Sequence, residues 1–227
     1  MITLAVECAA KSASCAVMQN GELLGFSFLK NGLTHSETLM PMVDGMLKNL
    51  KLNLSNIDSF AVSAGPGSFT GVRIGIAAVK GMASPHNTPC VPVSTLEAMA
   101  YSHTERNGII AAVMDARCNQ VYCGIFECRN GKITRLKEDR ALMCEELALE
   151  LKKEYNVKDV LIVGDGATVF APYLSGAAIA SNENLLANAV GVALCSAHIN
   201  PVKPEELLPV YLRLPQAERE LKKGENK

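Results

Sequence analysis

From residue 57 to residue 83 the chain reads IDSFAVSAGPGSFTGVRIGIAAVKGMA. A short apolar run, Ile57 to Ser63, leads into a loop of Gly65, Pro66, Gly67, Ser68, Phe69, Thr70 and Gly71. A stretch from Val72 to Met82 follows that is apolar on nearly every side. Val72, Ile76, Val79 and Ala83 form one helical stripe. Ile74, Ala77, Ala78 and Met82 cover other faces, and Gly71, Gly75, Ala78 and Met82 run along a further side. A helix with so little polar face must be covered on more than one side. Glycine inside a helix costs about 1 kcal/mol relative to alanine, so Gly75 and Gly81 need compensation from packing or function. One face can pack on a sheet. The other takes a second helix, either within the same domain or from a partner, and periodicity alone leaves both open.

A strand, a glycine turn and a helix N-terminus also present backbone N–H groups and a positive dipole end, which is how phosphate is held. The Walker pattern G-x-x-x-x-G-K-[ST] is not met, because Gly71 is followed by Val72 and Arg73. Nor is G-x-G-x-x-G met by glycines at 65, 67 and 71.

A chain of 227 residues that is 48% hydrophobic can fill a substantial core. Its 22 basic and 23 acidic residues leave a net charge of -1, so no global field draws it to phosphate backbones or anionic membranes. Work on RNA would need a partner. The opening MITLAVECAA has no basic n-region, h-region or cleavage site. The eight cysteines are therefore expected to be reduced thiols of a cytosolic protein and not a disulfide framework. No apolar run approaches the ~20 residues that span a bilayer. Cys118, Cys123 and Cys128 recur at a spacing that fits neither CxxC zinc sites nor one strand face, and they read as small hydrophobes.

Strands are expected at Ile2 to Glu7, Ser14 to Met18 and Leu23 to Leu29, with Asn20-Gly21 as a tight hairpin turn. Leu39, Met42, Val43, Met46, Leu47 and Leu50 then fall on one helical face. Thr34 and Glu37 have capping-box spacing, but Pro41 would lie inside, so the helix kinks there or begins nearer Thr38. Cys90 to Val93 reads as a strand, with Ser94 capping a helix from Thr95 to Ser102. A second series begins at Gly108, with strands Ile109 to Met114, Val121 to Glu127 and Lys132 to Leu136, the last two joined by Asn130-Gly131. Helices are expected at Cys144 to Tyr155 and Glu183 to His198, around a strand Asp159 to Val163 that stops at Gly164-Asp165-Gly166. Both halves run strands, helix, strand, helix, which suits two α/β lobes. The boundary falls at His103 to Gly108, giving lobes 1–105 and 106–213, with the last helix free to pack back on the first lobe. The charged residues of 214–227 are expected to fray.

The segment GPGSFTGVRIG, from Gly65 to Gly75, resembles the signature of the bacterial TsaB family, also called YeaZ. The resemblance continues through HSETLMPMV from His35, PVSTLEAMA from Pro92, DARCNQVY from Asp115 and PVYLR from Pro209, in family order over nearly the whole chain. It implies a degenerate two-lobe actin-like fold (ASKHA, ribonuclease H-like). It also implies a non-catalytic scaffold in the assembly that makes threonylcarbamoyladenosine at position 37 of ANN-reading transfer RNAs. Its partners would be the catalytic subunit TsaD, joined through two first-lobe helices, and TsaE. A homodimer would form in isolation, and transfer RNA would be met only through the complex. On this sequence the interface helices carry Leu39, Met42, Val43 and Met46, and Val72, Arg73, Ile76 and Val79; a glutamate at Val72 or Ile76 should break assembly and largely spare the fold. No cofactor would be held tightly by this subunit, with ATP or ADP at the subunit junction. The chain departs from the family in having Glu7-Cys8-Ala9 where an Asp-Thr-Ser-like turn is common, and Cys118-Asn119-Gln120 where glycine and glutamate are frequent.

Enzyme readings fit the residues less well. A stand-alone actin-like kinase or ATPase would need glycine in its phosphate turns, and neither Glu7 to Ser14 nor Asp115 to Gln120 has any. The catalytic relative carries paired metal histidines where this chain has Val93 to Ala98, and His35, His86, His103 and His198 form no helical pair. His35 reads as a capping, surface or interface residue. Ser68 lacks the glycine at position 70 that a G-x-S-x-G elbow requires and reads as a helix cap, while Asp115 and Arg117 read as a turn stabilised by the aspartate.

Overall fold

The computed structural model describes residues 1–181 and 186–213, so the charged tail expected at 214–227 lies outside the described residues. Ile2–Glu7 (β1), Ala13–Gln19 (β2) and Glu22–Leu29 (β3) form an antiparallel meander. Asn20 and Gly21 both take positive φ, 52° and 87°, which is the turn geometry their pairing favours. Ser59–Gly65 (β4) and Cys90–Ser94 (β5) add in parallel beyond β1, giving the order β3-β2-β1-β4-β5.

The second sheet repeats the plan. Gly108–Asp115 (β6), Gln120–Arg129 (β7) and Lys132–Met143 (β8) form the meander. Val160–Val163 (β9) and Ala178–Ile179 (β10) add in parallel beyond β6, for an order β10-β9-β6-β7-β8. Each sheet is therefore three antiparallel strands whose first member carries two parallel strands on its far side. This is the two-lobe actin-like α/β fold that the resemblance implies.

Helices clothe both sheets. His35–Leu50 (α1) and Phe69–Ala83 (α2) cover one face of the first sheet, where Leu4, Val6, Phe60 and Val62 join their apolar residues in one core. Thr95–Tyr101 (α3) and Ala189–Ser196 (α6) lie between the sheets. The first sheet presents Ala5, Ala16 and Ala61 to α6, small residues that let the helix come close. Cys144–Glu154 (α4) and the four-residue Ala167–Phe170 (α5) cover the outer face of the second sheet. Because side chains alternate along a strand, Ile109, Ala111 and Val113 of β6 join that outer core while Ile110, Ala112 and Met114 face α3. A polar cluster ties α3 to β8. Arg135 donates to Glu97 and to Asp139 at 2.5 Å each, Asp139 accepts from Ser94 Oγ, and Ser94 caps α3.

One boundary left open by the sequence is fixed, and two others differ from the sequence reading by several residues. α1 starts at His35 and runs through Pro41, which sits on the exposed side. β8 extends to Met143 instead of stopping at Leu136, its second half held by ion pairs of Lys137 and Arg140 with Glu150 and Glu154. The last helix begins at Ala189, because Asn188 caps it through Gly191 N–H at 3.0 Å and Ser14 Oγ takes the N–H of Ala189 at 2.9 Å; the start expected at Glu183 lies outside the described residues. α5 and β10 were not anticipated, being too short to show a period.

After α6 the chain returns along the first lobe as a strap without helix or strand of its own beyond a short turn. Val202 pairs with Cys90 in an isolated bridge, Leu207 is buried, and Val210 N–H donates to the Ala64 carbonyl at 2.7 Å. Arg213 closes the run by donating to the Ala116 carbonyl at 2.8 Å.

Candidate functional site

The glycine loop is pressed between two other pieces of backbone. A Cβ on Gly65 would lie 2.3 Å from the Val210 carbonyl oxygen, one on Gly67 2.4 Å from that of Ala9, and one on Gly71 2.0 Å from that of Cys8. Gly65 and Gly67 also take φ of 119° and 155°. Ser68 N–H donates to the Ala9 carbonyl at 2.7 Å, and Ser68 Oγ accepts from Gly71 N–H at 3.2 Å, the capping role read from the sequence. Pro66 is buried, Gly67 and Phe69 are half-buried, and Ser68 and Thr70 are exposed. Close passage past the first turn and the strap thus accounts for all three glycines without a phosphate.

The structure places the residues assigned to a partner interface in a different role. Leu39, Met42, Val43 and Met46 of α1 and Val72, Ile76 and Val79 of α2 are each at most 8% exposed, packed into the first lobe's own core. Arg73 alone of that set is exposed. The reason is geometric: the apolar stripe with helical period is the one that packs on the chain's own sheet. A charge at Val72 or Ile76 would therefore attack the fold as well as any assembly.

What α1 and α2 turn outward is a second surface. Met40, Pro41, Asp44 and Lys48 are exposed on α1, and Thr70, Arg73, Ala77 and Gly81 on α2, with Ile74 and Ala78 half-buried. A Cβ on Gly45 or Gly81 would meet nothing within 4 Å, whereas one on Gly75 would stand 3.3 Å from Val62 Cγ2. Gly75 is thus explained by packing on β4, and Gly81 is not explained within the chain. The guanidinium of Arg73 lies 3.9 Å over the Phe69 ring and donates from Nε to Tyr211 Oη at 2.8 Å, while Phe69 and Tyr211 stack at 4.4 Å. Tyr211 belongs to the strap, which no periodicity announces; the segment PVYLR was its only sequence signal.

At the mouth between the lobes, Glu7 is fully buried. Its Oε1 accepts from Ala9 N–H at 2.6 Å, Oε2 has no hydrogen-bond partner among the described residues, and burial pushes the carboxyl up to about 8. Burial raises Asp165 as well; its Oδ1 accepts from Asp115 N–H at 3.3 Å. Asp115 in turn accepts from Arg117 N–H at 2.7 Å, the turn stabilisation expected of it. Arg117, Cys118 and Asn119 all have positive φ, between 54° and 64°. His35 Nε2 lies 2.9 Å from the Ala10 carbonyl, tying the start of α1 to the first turn. All eight cysteines are free and only Cys118 is exposed; among the described residues no group of three His, Cys, Asp or Glu is placed to hold a metal. Among the described residues no helix is long and apolar enough to cross a membrane.

Comparison with known proteins places this geometry. The family model for TsaD, tRNA N6-adenosine threonylcarbamoyltransferase, matches residues 31–212. The tRNA threonylcarbamoyladenosine biosynthesis protein TsaB of Escherichia coli is 31% identical, over 94% of this chain and 95% of its own. The protein of the same description from Bacillus subtilis is 28% identical over 96% of each. The solved structure of YeaZ from Pseudomonas aeruginosa superposes with a TM-score of 0.79 at 28% identity, covering 93% of this chain and 99% of that one.

Proposed function

The chain belongs to the TsaB (YeaZ) family of tRNA threonylcarbamoyladenosine biosynthesis proteins, and from that premise we propose that it is a non-catalytic subunit that binds and activates the threonylcarbamoyltransferase TsaD. The observation that carries this reading is the outward face of α1 and α2, where Met40, Ala77 and Gly81 are exposed, Ile74 and Ala78 are only half-buried, and a Cβ on Gly81 would meet nothing within 4 Å among the described residues. Small residues let a second pair of helices approach closely, a steric argument drawn from helix packing. The docking surface is this face, and the buried stripes behind it hold the two helices in place on the sheet.

Activation acts by selection. A partner that contacts α1 and α2 in only one of its conformations is shifted toward that conformation by the differential contact energy. TsaE joins the pair in the cytoplasm, transfer RNA is engaged through the assembly, and ATP or ADP sits at the subunit junction. In the absence of TsaD the same face supports a homodimer. The missing glycines in the first and β6–β7 turns and the lack of a histidine pair from Val93 to Ala98 support a subunit without chemistry of its own.

Transfer RNA modification by purified TsaD, TsaE and supplied threonylcarbamoyl adenylate, with and without this chain, tests the reading, alongside ATP turnover by this chain alone. Modification that depends on the added chain, with no turnover alone, is the expected result. Turnover by the isolated chain with no effect on modification would replace the scaffold by an actin-like nucleotide enzyme.

A further inference from the structure

The strap runs antiparallel along α2. Lys80, near the C-terminal end of the helix, donates to the Glu205 carbonyl at 3.2 Å, and Arg73, near its N-terminal end, donates to Tyr211. Between these anchors Leu207 points into the core at 0% exposed, and Leu208 and Val210 are 64% and 51% exposed, with Tyr211 at 40%. Single exposed apolar residues are ordinary, but several within four positions, bordering a helix face that is itself apolar, mark an interaction surface. Arg73 and Lys80 are the only charged residues of α2, and among the described residues no carboxylate pairs with either; both spend hydrogen bonds on the strap. Among the described residues the surface therefore carries two positive charges without an ion-pair partner.

Resting on the docking reading above, we propose that residues 202–213 form a third wall of the TsaD-binding face. Leu208, Val210 and Tyr211 continue the outward surface of α2 and receive an apolar helix whose flanking carboxylates meet Arg73 and Lys80. The occupant is the catalytic partner. The stacked Phe69–Arg73–Tyr211 group sets the height of the wall, since it fixes the strap against the start of α2.

Two variants separate this inference from the reading beneath it, Leu208→Asp on the strap and Ala77→Glu on α2, each measured for TsaD affinity by calorimetry and for its own thermal midpoint. Both are expected to keep the wild-type midpoint and to lose at least about tenfold in affinity. Lys80→Glu should lose about fivefold and Lys80→Arg should not. Loss with Ala77→Glu and wild-type binding by Leu208→Asp would overturn the strap and leave the helix face standing. Wild-type binding by both would overturn the docking face itself. If Leu208→Asp weakens only self-association in sedimentation, the strap meets a second copy and the proposal is wrong. Should Leu208→Asp lower the midpoint, Val210→Ser takes its place with the same expectations.

Discussion

The two lobes share one strand plan and meet the same steric problem at the same place. In the first, the loop after β4 passes over the turn that follows β1, so Gly67 and Gly71 crowd the Ala9 and Cys8 carbonyls. In the second, the turn after β9 passes over the end of β6: a Cβ on Gly164 would lie 2.0 Å from the Val113 carbonyl oxygen and one on Gly166 2.8 Å from the Met114 carbonyl carbon. Glycine at these positions is a demand of the plan and carries no message about ligands. The lobes part company in the helices that follow. The first continues into the 15-residue α2 with two charged residues, Arg73 and Lys80; the second into the four-residue α5, while its main outer helix α4 carries Glu145, Glu146, Glu150, Lys152, Lys153 and Glu154. Helix α4 thus presents six charged side chains and the longer α2 only two.

The comparison breaks first at the buried stripe. Val72→Glu places a charge at a site 2% exposed and should lower stability by at least about 3 kcal/mol in urea titration; a folded variant that loses only partner binding would return the stripe to the interface. Gly71→Ala and Gly164→Ala should each cost about 1–3 kcal/mol, because both new Cβ atoms meet backbone that has no room to yield. A large cost in one lobe and none in the other would show that the two loops are not equivalent.

Glu7 and Asp115 end the matching strands β1 and β6, yet Glu7 is buried and Asp115 exposed. With its folded pKa raised from 4.5 to about 8, chiefly by burial and further by Asp165, Glu7 keeps a proton in the native state that the unfolded chain releases. Stability should therefore fall as pH rises through that window. Glu7→Gln should remove the slope, its advantage over the wild type growing by about 1 kcal/mol or more from about pH 5 to about pH 8 in parallel denaturation curves. The smallest effect belongs to Gly81→Ala, which fills open space on α2 and should raise stability by up to about 1 kcal/mol while weakening TsaD binding.

Local chemistry was legible wherever a residue has one physical use. Asn20-Gly21 and Asn130-Gly131 mark their turns because few other pairs tolerate positive φ, and Ser68 and Ser94 cap the helices they precede. The stripes of α1 and α2 were legible as stripes, but an apolar period does not say whether the chain or a partner covers it. Residues 137–143 of β8 hid their strand because their side chains serve ion pairs and not an apolar alternation. The strap had no period at all. Its place depends on a long return across the molecule, which neighbouring residues do not encode.

That return also sets an order of events during synthesis. The face of the first sheet formed by Ala5, Ala16, Ala61, Val91 and Val93 is covered by Ala189, Val192, Ala193 and Cys195 of α6. As the chain emerges from a ribosome, the first five strands are complete about a hundred residues before that cover exists. The first lobe thus waits with that side of its sheet covered only in part, by Ala98 and Tyr101 of α3, until α6 arrives.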